Sequence, residues 1–336
     1  MDYFGSPVPV APSSSAVQGD TGSDDTLPAG SIKQETQQKT RTPVGTPVNS
    51  PGAVSVSTAF HPSFKTDDSL PDLIITSVDG VHFYIHRNYV LAMSKNRLGG
   101  LLPSRLDNPT SASSCPSIQA KQSAEVLNVA MHAIYGLSCL QYFPTLEVVE
   151  SALAELIVFG VSIQLLAAAN KPLYQLLLSF ASDRPMDVYA LAGQHSLEDA
   201  AVAASARLLD YDVSQISDAV AAKMGPLYLK RLFMLQQSRV VALRSILFRP
   251  PAPHPPSPEC SPESQQLLMR SWAWALATAQ RTWVALPGLS TDALKSLLEP
   301  VGNNIDCPLC AEALHRRIQE VQTEWSSVKS PVLFDA

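Results

Sequence analysis

The sequence predicts an α+β protein, with a small β-sheet flanked by helices at the front of the folded region and an all-helical extension behind it. Three observations carry that prediction. Asp79-Gly80 lies between two apolar, β-branched runs, the strongest short-range hairpin signal, because a type I′ turn needs positive φ at both central positions. No strand signal follows residue 120, where apolar residues recur at helical spacing. Charged residues make up 16% of the chain and hydrophobic ones 46%, against about 25% charged in an average domain, which favours many buried helices.

The elements follow in order. Asp72-Leu73-Ile74-Ile75-Thr76-Ser77-Val78 and Val81-His82-Phe83-Tyr84-Ile85-His86 are the hairpin strands. In the second strand Val81, Phe83 and Ile85 share one face and His82, Tyr84 and His86 the other. Two strands alone are marginal, so helices must cover the apolar face. Residues 88–94 and 95–102 read as two short helices, the second ending near Gly99-Gly100. Pro103 to Ser114 is a polar loop, and Ser117-Ile118-Gln119-Ala120 a short third strand. Ser123 caps a helix with Leu127, Ala130, Met131 and Ile134 on one stripe. Thr145 caps another with Leu146, Val149, Leu153, Leu156 and Ile157 inward and Gly160 at its end. The apolar run from Leu156 to Ala169 is too short for a membrane span and reads as buried helix. From about 172 helix follows helix: Pro185 sits early in one, Ser196-Leu197-Glu198-Asp199 begins another, and Met224-Gly225-Pro226 separates the next two.

At roughly 150 residues per domain, 336 residues suggest about two domains, and the 27 prolines mark their boundaries. Residues 1–64, rich in Pro, Ser, Thr and Gln, lack the apolar surface to offset ordering entropy and read as a disordered tail. A sheet-bearing domain is expected over 66–165 and a helical extension over 166–248. Residues 249–262, with Pro250-Pro251-Ala252-Pro253-His254-Pro255-Pro256-Ser257-Pro258, read as a stiff extended linker. A small helical domain fills 263–336.

Net charge is −6, so no overall basic field draws nucleic acid or anionic lipid. The N-terminal residues lack the charged and apolar regions of a signal peptide. Five cysteines make no disulfide framework and suit a reducing compartment, so a cytoplasmic or nuclear location is expected. No Gly-x-Ser-x-Gly, phosphate-cradling Gly-rich loop or His-Glu-x-x-His is present, and no catalytic residue is assigned. His86 beside Arg87 reads as a structural hydrogen-bonding group at a strand end, and His132 as a residue at the core's edge.

An Asp before an apolar strand, an Asp-Gly hairpin, an aromatic strand ending in His-Arg, then a helix and a Ser: this pattern resembles the BTB/POZ domain. The matching residues are Asp72, Asp79, Gly80, Phe83, His86, Arg87, Leu91 and Ser94, with Ile134-Tyr135 fitting further on. Asp187-Val188-Tyr189-Ala190-Leu191-Ala192 and Tyr228-Leu229-Lys230-Arg231-Leu232-Phe233 are similar to fungal BTB-domain proteins with a helical extension. The resemblance covers about 70–330 and is firmest over 70–102; Leu98 stands where many BTB domains place a Phe. It implies binding rather than catalysis: homo- or hetero-dimerisation through the BTB-like region and bridging of protein partners, in a regulatory or ubiquitin-ligase adaptor role. The alternative is a structural helical protein with a small zinc-stabilised C-terminal domain and no obligate pairing.

Two further signals stand outside the resemblance. In the tail, Ile32-Lys33-Gln34-Glu35 matches the pattern SUMO conjugation uses, and Thr42, Thr46 and Ser50, each before a Pro, suit proline-directed kinases. The bland alternative is a solvated tail. In the C-terminal segment Cys307-Pro308-Leu309-Cys310 can turn two thiolates towards one zinc. Cys260, with His254 or His315, would complete a Cys3His set; two ordinary cysteines at a helix start are the competing account. No other cofactor is expected. Trp272 and Trp274, with Leu276 and Trp283 at helical spacing, read as the small domain's own core, and Lys230-Arg231 as a solvated basic pair.

Overall fold

Leu73, Ile75, Val81, Phe83 and Ile85 are almost wholly buried while their neighbours along each strand are half exposed, the period-two burial of a sheet with one face on the core. The computed structural model describes residues 54–102, 115–279, 289–328 and 331–332. It is mixed α+β and mostly helical. Four strands, β1 (Ser55–Val56), β2 (Leu73–Thr76), β3 (Val81–Ile85) and β4 (Ser117–Gln119), form a sheet in the order β1-β3-β2-β4. β2 and β3 pair antiparallel with Thr76 opposite His82, and β4 lies parallel to β2 with Ile118 opposite Ile75.

The hairpin exists where expected, but its turn is of another kind. Ser77 N–H donates to the Val81 carbonyl at 2.9 Å and Gly80 N–H to the Ser77 carbonyl at 3.0 Å. Of the Asp-Gly pair only Gly80 has positive φ, at 81°. Val78-Asp79-Gly80 is therefore a three-residue loop ending in a left-handed glycine, not a type I′ turn. The Asp79 carboxylate is employed elsewhere, accepting Ala124 N–H at 2.9 Å.

The tail boundary also shifts. β1 pairs parallel with β3, Ser55 opposite Val81, and Phe60 is fully buried with its ring 5.0 Å from His132 and 5.4 Å from Tyr135. One ladder and one aromatic anchor hold residues 55–64 to the fold, although their composition resembles that of the segment before them. The modification candidates Lys33, Thr42, Thr46 and Ser50, the loop from Pro103 to Ser114, and Trp283 lie outside the described residues.

Behind the sheet come α1 (Arg87–Met93), α2 (Ala124–Tyr135) and α3 (Leu146–Val158). Ser123 and Thr145 cap α2 and α3 as the sequence predicts, accepting from Val126 and Val148 N–H. Residues 95–102 form no helix: Arg97, Leu98, Gly99 and Gly100 all have positive φ. Fully buried Leu98 anchors this left-handed turn, and Asn96 ties it to α3, its Nδ2 donating to the Val158 carbonyl at 2.8 Å. The apolar run 156–169 is not one helix either. Gly160, at φ 69°, ends it, and a single turn, α4 (Ile163–Leu166), follows. Ile157, predicted inward, is 49% exposed.

Then come α5 (Pro172–Phe180), α6 (Pro185–His195), α7 (Glu198–Ser205) and the long α8 (Asp218–Leu247), interrupted at Gly225-Pro226. Ser196 closes α6 in a left-handed conformation rather than opening α7. Three last helices, α9 (Pro262–Ala279), α10 (Thr291–Leu298) and α11 (Pro308–Ser326), surround a second core. That core also takes Leu243, Ile246 and Leu247 from the end of α8, so the boundary between the two cores falls inside that helix, ahead of its end at Leu247. Within residues 249–262 Pro251 is buried and Cys260 belongs to this second core. Arg317, 4% exposed, locks the junction: its guanidinium donates to the carbonyls of Ile246 at 2.6 Å and Arg249 at 3.0 Å, satisfying acceptors at the C-terminal end of α8.

Candidate metal centre

Cys307 is the N-cap of α11, with Pro308 at the first helical position, where proline's missing N–H costs nothing. The extended backbone at Cys307 leaves its sulfur in front of the helix N-terminus, and Cys310 stands one turn further along. Backbone N–H groups of Cys310 and Leu309 aimed at the Cys307 sulfur lower its pKa to about 7, the expected behaviour of a thiol at a helix N-terminus. The proline-rich strap supplies the other donors. Its prolines hold it extended, a turn pairs Ser257 with Cys260, and His254 and Cys260 come to face Cys307 and Cys310.

His254, Cys260, Cys307 and Cys310 offer four ligand atoms that all lie within 4.8 Å of one another. The Cys260 and Cys310 sulfurs are 3.7 Å apart, and His254 Nε2 is 3.4 Å from Cys307 Sγ and 3.3 Å from Cys310 Sγ. Metal–sulfur bonds of 2.3 Å and a metal–nitrogen bond of 2.0–2.1 Å at tetrahedral angles require edges of about 3.8 Å (S···S) and about 3.6 Å (S···N). These three edges match to within about 0.3 Å, and the other three are no longer than 4.8 Å. All five described cysteines are free thiols, and 3.7 Å is far beyond the roughly 2.05 Å of a disulfide.

The histidine is oriented for ligation. Its Nδ1 lies 2.7 Å from the Pro255 carbonyl, which can only accept, so the proton sits on Nδ1 and the Nε2 lone pair faces the sulfurs. This is the outer-sphere arrangement that fixes a metal-bound imidazole. The three cysteines are buried. Burial pushes Cys310 up to about 12, with the sulfurs of Cys260 and Cys307 acting in the same direction, and raises Cys260 as well. Three crowded thiolates need a cation to coexist, and a bound ion reverses that balance. The cluster can therefore hold a metal ion. His315, the other histidine considered, stands outside it, with Nε2 2.9 Å from Gln319 Nε2 on an exposed face.

The remaining candidate residues lie in the sheet region. Asp72 Oδ1 accepts Arg87 N–H at 2.7 Å, tying the start of β2 to α1. His86 is 6% exposed; its backbone N–H donates to Tyr135 Oη at 2.8 Å and its Nε2 lies 3.0 Å from the Ser69 carbonyl. Ser94 Oγ donates to the Phe159 carbonyl at 2.5 Å and accepts Leu98 N–H at 2.8 Å. Phe83 is fully buried, Leu91 and Arg87 are half-buried, and Gly80 turns the hairpin. His132 belongs to the core itself, at 2% exposure. Among the described residues these groups assemble no nucleophile and base.

Sequence reasoning missed Arg317, a single cation on the buried face of α11, for which the pattern gives no separate signal. It also paired two tryptophans that the structure separates. Trp272 is buried with Nε1 donating to the Leu247 carbonyl at 3.0 Å, while Trp274 is 73% exposed. Among the described residues no helix is long and apolar enough to cross a membrane. Comparisons with protein-family models, with curated proteins and with solved structures found no match.

Proposed function

We propose that the chain is a non-catalytic protein-interaction module of BTB/POZ type, pairing through its sheet-bearing region, with one structural zinc closing its C-terminal lobe. The pairing half rests on the residues that carry the resemblance. Asp72, Asp79, His86 and Ser94 join the hairpin to α1, α2 and the end of α3 through backbone and side-chain hydrogen bonds. They are the joints of a scaffold rather than parts of a reaction centre, in keeping with a domain that works through its surface. The small sheet backed by helices and continued by a helical extension agrees with what the resemblance implies.

The zinc half rests on four donors within 4.8 Å of one another, three of whose edges fit a tetrahedral zinc site. Three thiolates and an imidazole suit zinc, and four protein ligands leave no position open for water or substrate. A zinc there would join the strap to α11 and so complete the second core, which spans only α8's end and three helices. A native mass spectrum of the full chain at tens of micromolar tests both halves: the expected species holds two chains and two zinc ions. A strictly monomeric mass overturns the pairing, and a metal-free chain overturns the zinc.

A further inference from the structure

The inner face of α8 buries Tyr228, Leu232, Leu235, Leu243 and Ile246. Its outer face carries a second row of apolar residues, with exposed Lys230, Gln237 and Ser238 between them. Leu227, Met234 and Val241 are 52%, 57% and 54% exposed, with Phe233 beside Met234 at 47%. A surface helix ordinarily turns its apolar residues to one side, so a second apolar stripe needs an occupant. We propose that this outer face docks an acidic amphipathic helix of a partner protein.

Spacing and charge select that occupant. Leu227, Met234 and Val241 are spaced by seven residues, the repeat that holds one seam against a packed helix, here over about 21 Å of axis. Lys230, Arg231 and Arg244 flank the stripe, and no Asp or Glu occurs from Ala219 to Pro258. Arg231 has Glu198 3.6 Å away; Lys230 is exposed and Arg244 half-buried. A second copy of this helix fits badly: parallel pairing sets each cation against itself, and antiparallel pairing about Gln237-Ser238 sets Lys230 and Arg231 near Arg244. A lipid surface needs no seven-residue register and would bring the exposed polar Gln237 and Ser238 into its apolar boundary. A helix with apolar residues every seventh position and Glu or Asp between them meets both the stripe and the cations. This face is distinct from the sheet region and the metal centre, so the inference stands or falls apart from the proposed pairing and zinc.

The test titrates the full chain against a fluorescein-labelled synthetic helix of about four heptads, with Leu at its seam and Glu beside it, and against a twin with Lys in place of Glu. Anisotropy should show saturable binding of the Glu helix, about tenfold or more weaker for the Lys twin and for the double variant Met234→Ser/Val241→Ser. In the second variant, Lys230→Glu/Arg244→Glu, which reverses the flanking charge and leaves the apolar stripe intact, the preference should invert towards the Lys twin. No saturable binding of the Glu helix, equal binding of both helices, or an unchanged preference after charge reversal overturns the proposal. Phosphatidylglycerol vesicles that bind the parent but not the serine variant would assign the face to a membrane and overturn it too. So would a doubled mass that the serine variant alone abolishes, since that assigns the face to a second copy.

Discussion

His132 lies in α2 with its Nδ1 2.7 Å from the Asn128 carbonyl and its ring edge-on to Phe60 and Tyr142. The carbonyl can only accept, so the buried ring is the neutral Nδ1–H form, and burial holds its pKa below the ordinary 6.5. The unfolded chain binds a proton near 6.5 while the folded chain does not, so the unfolded state holds more protons below that pH. Stability therefore falls as pH drops below about 6.5, by at most about 1.4 kcal/mol per pH unit for this one group. Urea unfolding at pH 7.5 and 5.5 should show a larger loss for the parent than for His132→Leu; equal losses would contradict the assignment. Burial lowers the pKa of His195 as well, but that contribution is common to both proteins and cancels in the difference. At this scale the sequence shows residue type and local spacing only. It exposed the Asp79-Gly80 turn but not its form, because the Asp79 carboxylate serves Ala124, 45 residues on. It brought Cys307 and Cys310 together by spacing, yet left the fourth donor between His254 and His315, a choice the path of the proline strap makes.

Among the elements, α6 and α8 cross with their backbones in close approach. A Cβ at Gly193 of α6 would lie 2.7 Å from the Met224 carbonyl oxygen, beside the Gly225 kink, where φ is 77°. Two effects oppose each other in Gly193→Ala. Alanine gains about 1 kcal/mol of helix propensity, while overpacking against an unyielding backbone atom costs about 1–3 kcal/mol. The backbone contact should win, so the variant should melt several degrees below the parent; an unchanged or higher midpoint would show that the helices move apart freely. Helix starts with a Ser or Thr cap, such as Ser123 and Thr145, were legible because the cap is a local interaction. Residues 95–102 and 156–169 were misread because Leu98 and Gly160 follow tertiary demands: burial under the sheet region for one, a backbone reversal beside Asn96 for the other.

Across the whole molecule, the described residues form two apolar cores that share one helix. α8 contributes Leu232 and Leu235 to the first and Leu243 and Leu247 to the second, and Arg239 lies near the junction with its guanidinium 4.3 Å from the Trp325 ring. Composition marked the proline-rich segment but could not show that it brings His254 and Cys260 to Cys307 and Cys310, since those four side chains are drawn from residues 254 to 310. X-ray absorption at the zinc edge of the purified full chain tests the proposed closure at these four donors most directly. The spectrum should show about three sulfur ligands near 2.3 Å and one nitrogen near 2.0 Å, and should be lost in Cys307→Ser together with part of the helical signal, because metal binding and folding are coupled in so small a lobe. A zinc shell of oxygen and nitrogen alone, or a metal-free chain as helical and heat-stable as the loaded one, would contradict it.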